Sequence, residues 1–235
     1  MPKRTRSQRK GKSKNFRSPK HRFEEKDEVK RNATGEIVDI VNDPARTAPL
    51  AKIRLDNGKE KYMIAPEGVQ TGDKIVHGKD AKIKPGNKLK LENIPEGVPI
   101  HNIETKPGEG GKLVRSSGTY GVIKTKDTNK TVIRLPSGGT KDLNPGCKAT
   151  VGVVGGGGRK EKPYTKAGSK ARAMKAKGKQ YPTTSATSMN PVDHPFGGSG
   201  DPGKPKTVKS TAPPGQKVGS FGAKSTGKKK GKRRE

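Results

Sequence analysis

Not one Asp or Glu stands among the first 22 residues, MPKRTRSQRKGKSKNFRSPKHR, and residues 155–235 carry 20 basic side chains against 4 acidic ones. Residues 36–105, by contrast, carry 11 of each sign. A chain charged in this way can fold alone only where opposite charges balance, so the middle is the self-sufficient part and the ends need a counter-charge. The net charge of +31 and a pI near 10.3 exceed anything solubility requires, and the partner they point to is a polyanion. With 26% hydrophobic residues, 3% aromatic residues and no Trp, one large core is excluded and small cores are expected.

Within the neutral block, Glu36–Val41, Leu50–Asp56, Lys61–Ala65, Lys74–His77 and Lys88–Leu91 read as short strands. Ala51-Lys52-Ile53-Arg54-Leu55 and Lys61-Tyr62-Met63-Ile64 alternate apolar and polar side chains on either side of Asp56-Asn57-Gly58, which predicts a hairpin. Five strands in so short a block suggest an OB-like barrel, because closure removes exposed edges. A Gly-rich hinge, Pro107–Gly111, precedes a second strand group over Tyr120–Lys124, Thr131–Leu135 and Lys148–Val154, read as another small barrel. Lys126–Lys130, Ser137-Gly138-Gly139 and Asn144-Pro145-Gly146 supply its turns.

Helix content should be low, with one candidate at Ser169–Lys177 between Gly168 and Gly178. Beyond Gln180 apolar periodicity vanishes and Pro, Gly, Ser, Thr and Lys dominate, so burial cannot offset the entropy of ordering. The organisation predicted is a basic N-terminal extension (1–34), a first barrel (35–106), a second barrel with the short basic helix (107–179) and an extended basic C-terminal arm (180–235). The fold class is mainly β.

Basic arms suit phosphate contact: each neutralised phosphate releases counterions and gives salt-sensitive, sequence-tolerant binding. The residues placed in that role are Lys3, Arg4, Arg6, Arg9, Lys10, Lys12, Lys14, Arg17 and Arg22 at one end. Lys217, Lys224, Lys228, Lys229, Lys230, Arg233 and Arg234 serve at the other, with Arg115, Lys170 and Arg172 between. Gly155-Gly156-Gly157-Gly158-Arg159-Lys160 is either a flexible link or a place where backbone without Cβ atoms approaches a phosphate or an RNA strand closely. The first strand block has only Tyr62 among aromatics, so contact with phosphate and shape is expected rather than base reading.

Gly222–Lys229 nearly matches the phosphate-loop spacing, but Lys229 stands where Ser or Thr would hold magnesium. Gly198–Gly203 fits G-x-G-x-x-G by letter without a preceding strand; both are rejected as nucleotide sites. His21, His77 and His101 look isolated and structural, and Cys147 reads as a small core hydrophobe. A single Cys forms no intrachain disulfide, and with no secretory or membrane-spanning apolar run the chain is expected to be soluble and intracellular. No metal-binding spacing is present. His194 differs, because Pro191 and Pro195 stiffen the backbone around the Asp193-His194 pair. Two roles are open to His194: a hydrogen-bond donor to RNA, together with Asn190, or a general acid or base with Asp193.

Taken together, several blocks resemble the universal large-subunit ribosomal protein two family in its archaeal and eukaryotic form. They are Gly35–Ile40, Tyr62–Gly68, Ile94–Gly97, His101–Glu104, Leu135–Gly138, Gly156–Arg159, Met189–Gly198 and Ala212–Gly215, in family order. The resemblance implies an OB-like barrel followed by an SH3-like barrel, ends buried in large-subunit ribosomal RNA, and other ribosomal proteins as neighbours. It also implies support for subunit association, with small-subunit RNA contacted at a bridge, for tRNA binding and for the peptidyl transferase region. The expected location is the cytoplasmic large ribosomal subunit, without membrane or DNA. In the family the His that maps to His194 has a contested part in peptide-bond formation; here it is carried over as an RNA contact and no catalytic residue is assigned. Ser185-Ala186 stand where the family usually has Arg-Gly, and Phe196 where it usually has a second His. No cofactor is expected beyond structural Mg2+ bridging to RNA. The rivals are an RNA-acting enzyme using His194 and a DNA-compacting protein; two acid-balanced barrels argue against the latter.

Overall fold

The computed structural model describes residues 33–44, 46–78, 81–198, 207–213 and 217–223. The expectations for 1–32 and for 224–235 lie outside the described residues. Those described fall into two units, one over 33–165 and one from 166 onward.

The first unit is built on a ten-stranded sheet. Its first four strands are β1 (Ala33–Val41), β2 (Leu50–Leu55), β3 (Glu60–Ile64) and β4 (Lys74–His77). β1 pairs antiparallel with both β2 and β4, and β2 with β3. Alternation does what the sequence predicts: Ile37, Ala51, Ile53, Met63 and Ile75 turn to one side and form a core with Ala65. The Asp56-Asn57-Gly58 hairpin closes through the Leu55 N–H donating to Lys59 O at 2.9 Å, with Gly58 at φ 75°. A Cβ at Gly35 would lie 2.6 Å from Arg54 O, so β1 and β2 meet there only because that residue is Gly. Ala48, Leu50, Ile64 and Val154 form a second small cluster.

The later strands are β5 (Lys88–Lys90), β6 (Pro99–His101), β7 (Ile103–Glu104), β8 (Gly111–Leu113), β9 (Gly121–Lys126), β10 (Thr131–Arg134), β11 (Thr140–Leu143) and β12 (Lys148–Val151). In the large sheet the order is β11-β10-β9-β6-β12-β5-β4-β1-β2-β3, while β7 and β8 pair separately. Lys88–Leu91 is expected in the first strand group, with a boundary at 106/107. The structure groups it otherwise: β5 and β6 both pair with β12, and Leu89, Leu91, Ile94, Ile100 and Ile103 share one core with Ile123, Ile133, Leu143, Cys147, Ala149 and Val151. β5 meets the first group only through the parallel bridge His77 to Lys88. Segment 89–103 contributes five of the twelve buried residues of that core, so its apolar side chains are satisfied there.

Pro107–Gly111 is a gripped turn, not a hinge. The Glu104 carboxylate, wholly buried, accepts the Gly108 N–H at 3.1 Å and the Lys148 N–H at 3.0 Å. Its other oxygen lies 3.5 Å from Nζ of Lys88, a lysine only 2% exposed. Lysine and glutamate are almost never buried so completely unless paired. Beside them His77 is driven down to about 3 by burial, and next by the charges of Lys88 and Lys148. His101, also buried, bonds Gly152 O through Nδ1 at 2.9 Å and is lowered to about 4 by burial. Cys147 is fully buried, as a small core residue should be, and burial raises its thiol.

The second unit holds the helix α1 (Ala167–Ala176) and a two-residue parallel pair, β13 (Thr207–Val208) with β14 (Ser220–Phe221). The helix was expected at the end of the second strand group; it falls instead with the residues that follow the sheet. No helix among the described residues is long and apolar enough to cross a membrane.

Candidate nucleic-acid interface

Three loops of the first unit converge on its surface, around Arg46, Arg115 and Arg159. Arg46 donates through Nε to the buried Asp43 carboxylate at 2.9 Å. Thr47 next to it accepts the Ser117 N–H at 3.3 Å on its hydroxyl. Arg115 follows Val114, which holds φ 53°, a left-handed conformation that β-branched residues avoid. The Val114 carbonyl accepts the Asn102 N–H at 2.9 Å, and Arg115 Nη1 donates to Gly111 O at 3.1 Å. Arg159 donates from Nε to the Ser117 hydroxyl at 3.1 Å. Burial, and after it the charge of Arg115, pulls the Arg46 guanidinium below its usual value. Asp43 answers the Arg46 charge, and the exposed Arg159 adds a cation to the same group of loops.

The glycine run makes the convergence steric as well. The Gly155 N–H donates to Ala65 O at 2.9 Å, and a Cβ on Gly118 would come within 2.7 Å of the Gly157 Cα. Close backbone approach is therefore real, but it is approach to this chain's own 65 and 117–118 segments, which rules out a bare link. Gly156, Gly157, Gly158, Arg159 and Lys160 remain exposed.

From Gly156 through Asp193 no residue is buried, and within this stretch stand Arg159, Lys160, Lys162, Lys166, Lys170, Arg172, Lys175, Lys177 and Lys179. α1 lies inside it with no buried residue, no side-chain N-cap and no acid in its first turn. Ten residues of helix with no fully buried side chain are marginal in water. One internal contact steadies it: Nζ of Lys170 sits 5.3 Å from the centroid of the Tyr181 ring.

The loop Met189–Gly198 is closed and compact. His194 N–H donates to Asn190 O at 3.2 Å, and the Gly198 N–H to Met189 O at 3.1 Å. A Cβ on Gly197 would lie 2.3 Å from Met189 O, so only Gly lets the two ends meet. The His194 ring is 9% exposed and packs edge-on against Phe196, centroids 4.9 Å apart. Its Nδ1 accepts the Phe196 N–H at 3.1 Å, which leaves the proton of the neutral ring on Nε2. A ring so engaged turns Nε2 outward from the bond with Phe196 as a donor. No hydrogen bond joins the Asp193 carboxylate to it, and Asn190 is exposed on the rim.

Of the predicted contacts, Arg115, Gly156, Gly157, Gly158 and Arg159 are brought together, whereas Lys160, Lys170 and Arg172 share the unburied stretch. Asn190 and His194 share the closed loop. Lys217 is exposed beside the buried Val218. Lys3, Arg4, Arg6, Arg9, Lys10, Lys12, Lys14, Arg17, Arg22, Lys224, Lys228, Lys229, Lys230, Arg233 and Arg234 lie outside the described residues. Arg46 was missed: it sits in the charge-neutral block, and only the fold sets it beside Arg115. Among the described residues no group of three or more His, Cys, Asp or Glu is arranged to hold a metal ion.

Residues 3–77 match the family model described as Ribosomal Proteins L2, RNA binding N-terminal domain, and residues 84–217 match Ribosomal Proteins L2, C-terminal domain. The large ribosomal subunit protein uL2 of Methanothermobacter thermautotrophicus is 51% identical, over 98% of this chain and 100% of that one. That of Methanococcus aeolicus is 50% identical over 97% and 100%, and that of Haloarcula marismortui 47% over 97% and 98%.

Proposed function

The chain belongs to the ribosomal protein L2 family, a structural family and not one of enzymes, and on that premise we propose how it serves the large ribosomal subunit. It is a structural constituent of that subunit in the cytoplasm, and it holds ribosomal RNA by phosphate and shape. The stretch Gly156–Asp193 carries this reading, because it is rich in Lys and Arg yet contains no fully buried residue. A segment that loses conformational entropy while burying so little surface draws its order from contacts with something else. Neutralised phosphates supply those contacts and release counterions. The sheet unit is the anchor, fixing Arg46, Arg115 and Arg159 at one place, and the basic segments extend the contact.

The closed Met189–Gly198 loop presents His194 Nε2–H as a donor to RNA, near the peptidyl transferase region and the subunit interface. Contacts to small-subunit RNA at a bridge and support of tRNA binding belong to the same reading. So does Mg2+ between RNA phosphates and protein oxygens, with no further cofactor.

The experiment is binding of the full chain to large-subunit ribosomal RNA across a salt series, against Arg159→Gln/Lys160→Gln/Lys162→Gln. Three lost phosphate contacts lower the slope of log K against log salt by about 2 to 3. A slope equal to that of the unaltered chain sinks the reading. For the loop, His194→Ala in reconstituted subunits should assemble and lose subunit association or tRNA affinity; unchanged performance in both would remove His194 from the interface.

A further inference from the structure

Tyr120 stands just before β9 with 49% of its surface exposed. It opens onto a groove of about 340 Å³ whose walls include Gly118, Val122, Arg134, Leu135 and Pro136, and none of whose lining residues is Asp or Glu. Arg134 lies opposite Val122 across the β9–β10 pair. The groove thus combines an aromatic ring, a proline ring and a guanidinium with the apolar side chains of Val122 and Leu135. Its volume is at the small end of ligand clefts, roughly 300–1,000 Å³. At one end Gly118 abuts Gly157, so the groove runs into the rim that carries Ser117 and Arg159.

We propose that this groove receives one unstacked nucleobase of the ribosomal RNA, stacked on Tyr120 and Pro136 beside Arg134, with its phosphate at the Arg159 rim. The proposal rests on the RNA-binding reading above and adds a stacked base to the contact with phosphate and shape that the sequence led us to expect. Base faces stack on aromatic rings and guanidinium planes whatever their sequence, and a half-bare Tyr beside an Arg with no carboxylate partner among the described residues is such a platform. A peptide occupant is disfavoured by topology. Val122 of β9 is paired with both β6 and β10, and Arg134 of β10 with both β9 and β11, so the strand residues that line the groove offer no edge to a further strand.

The test uses the full chain bound to large-subunit ribosomal RNA, with dimethyl sulfate and carbodiimide probing of base reactivity and affinity read in parallel. In the wild-type complex one nucleotide is protected at its base; Tyr120→Ala exposes it and weakens binding about tenfold, with the salt slope unchanged. Tyr120→Phe, which keeps the ring, restores the protection. Arg134→Gln gives a smaller loss of the same kind. Tyr120 is half exposed, so a thermal melt confirms that each variant remains folded. Equal affinity and an identical protection pattern in Tyr120→Ala overturn the proposal, as does a Tyr120→Ala complex that keeps every base protection but no longer admits a neighbouring ribosomal protein. If the wild-type chain fails to bind the RNA, the function itself falls, a result separate from either of these.

Discussion

The buried pair Lys88 and Glu104 offers the sharpest test of how the later core is held. At 3.5 Å and an effective dielectric near 20, their attraction is about 5 kcal/mol, comparable with the several kcal/mol that desolvating each ion costs. The pair is therefore near balance as a whole, yet each partner is indispensable to the other. Glu104→Gln keeps an oxygen to accept the Gly108 and Lys148 N–H groups while removing the charge, so it isolates the electrostatic part. Stranding the Lys88 ammonium should cost about 3 to 5 kcal/mol. Lys88→Met should cost less, about 2 kcal/mol, because two backbone N–H donors still hold the carboxylate. The double variant Lys88→Met/Glu104→Gln should recover most of the loss. Urea unfolding of the full chain, followed by circular dichroism, reads this out: with a slope near 2 kcal/mol per M, Glu104→Gln moves the midpoint by about 2 M. Single variants that each lose under about 1 kcal/mol, and add without coupling in the double, would refute the reasoning.

Acid should destabilise the chain through His77 and His101, whose folded values near 3 and 4 lie below the unfolded value of about 6.5. The unfolded state binds the extra protons, so the stability these groups confer is complete above about pH 6.5 and is lost as pH falls toward 4. Each contributes up to about 1.4 kcal/mol per pH unit, and the unfolding free energies extrapolated from urea titrations at pH 7 and pH 5 should differ by a few kcal/mol, less so in His101→Asn. Gly118→Ala, strained at φ 68° and 2.7 Å from the Gly157 Cα, should cost about 1 kcal/mol or more beyond Gly138→Ala, which is strained at φ 84° but meets nothing; thermal midpoints compare them. Gly197→Ala should open the Met189–Gly198 loop and release the His194 ring from Phe196, seen as loss of the ring-current shift in proton NMR.

Much of this protein is written locally. Alternation over Ala51–Leu55 and Lys61–Ile64, the Asp56-Asn57-Gly58 turn, and the glycines near 138 and 146 specify hairpins from neighbours a few residues apart. Charge segregation names the kind of partner without any fold. The strands β6, β7, β8 and β11 escaped, because two to four residues carry no readable period and their pairing is set by partners far along the chain. The burial of Lys88 by Glu104, the loan of residues 89–103 to the later core, the meeting of Arg46 with Arg115 and Arg159, and the Tyr120 groove are likewise absent from any window of sequence. Pattern acts over a turn or a strand pair, whereas burial and the summing of charge depend on which distant segments the sheet order brings within a few ångströms of one another.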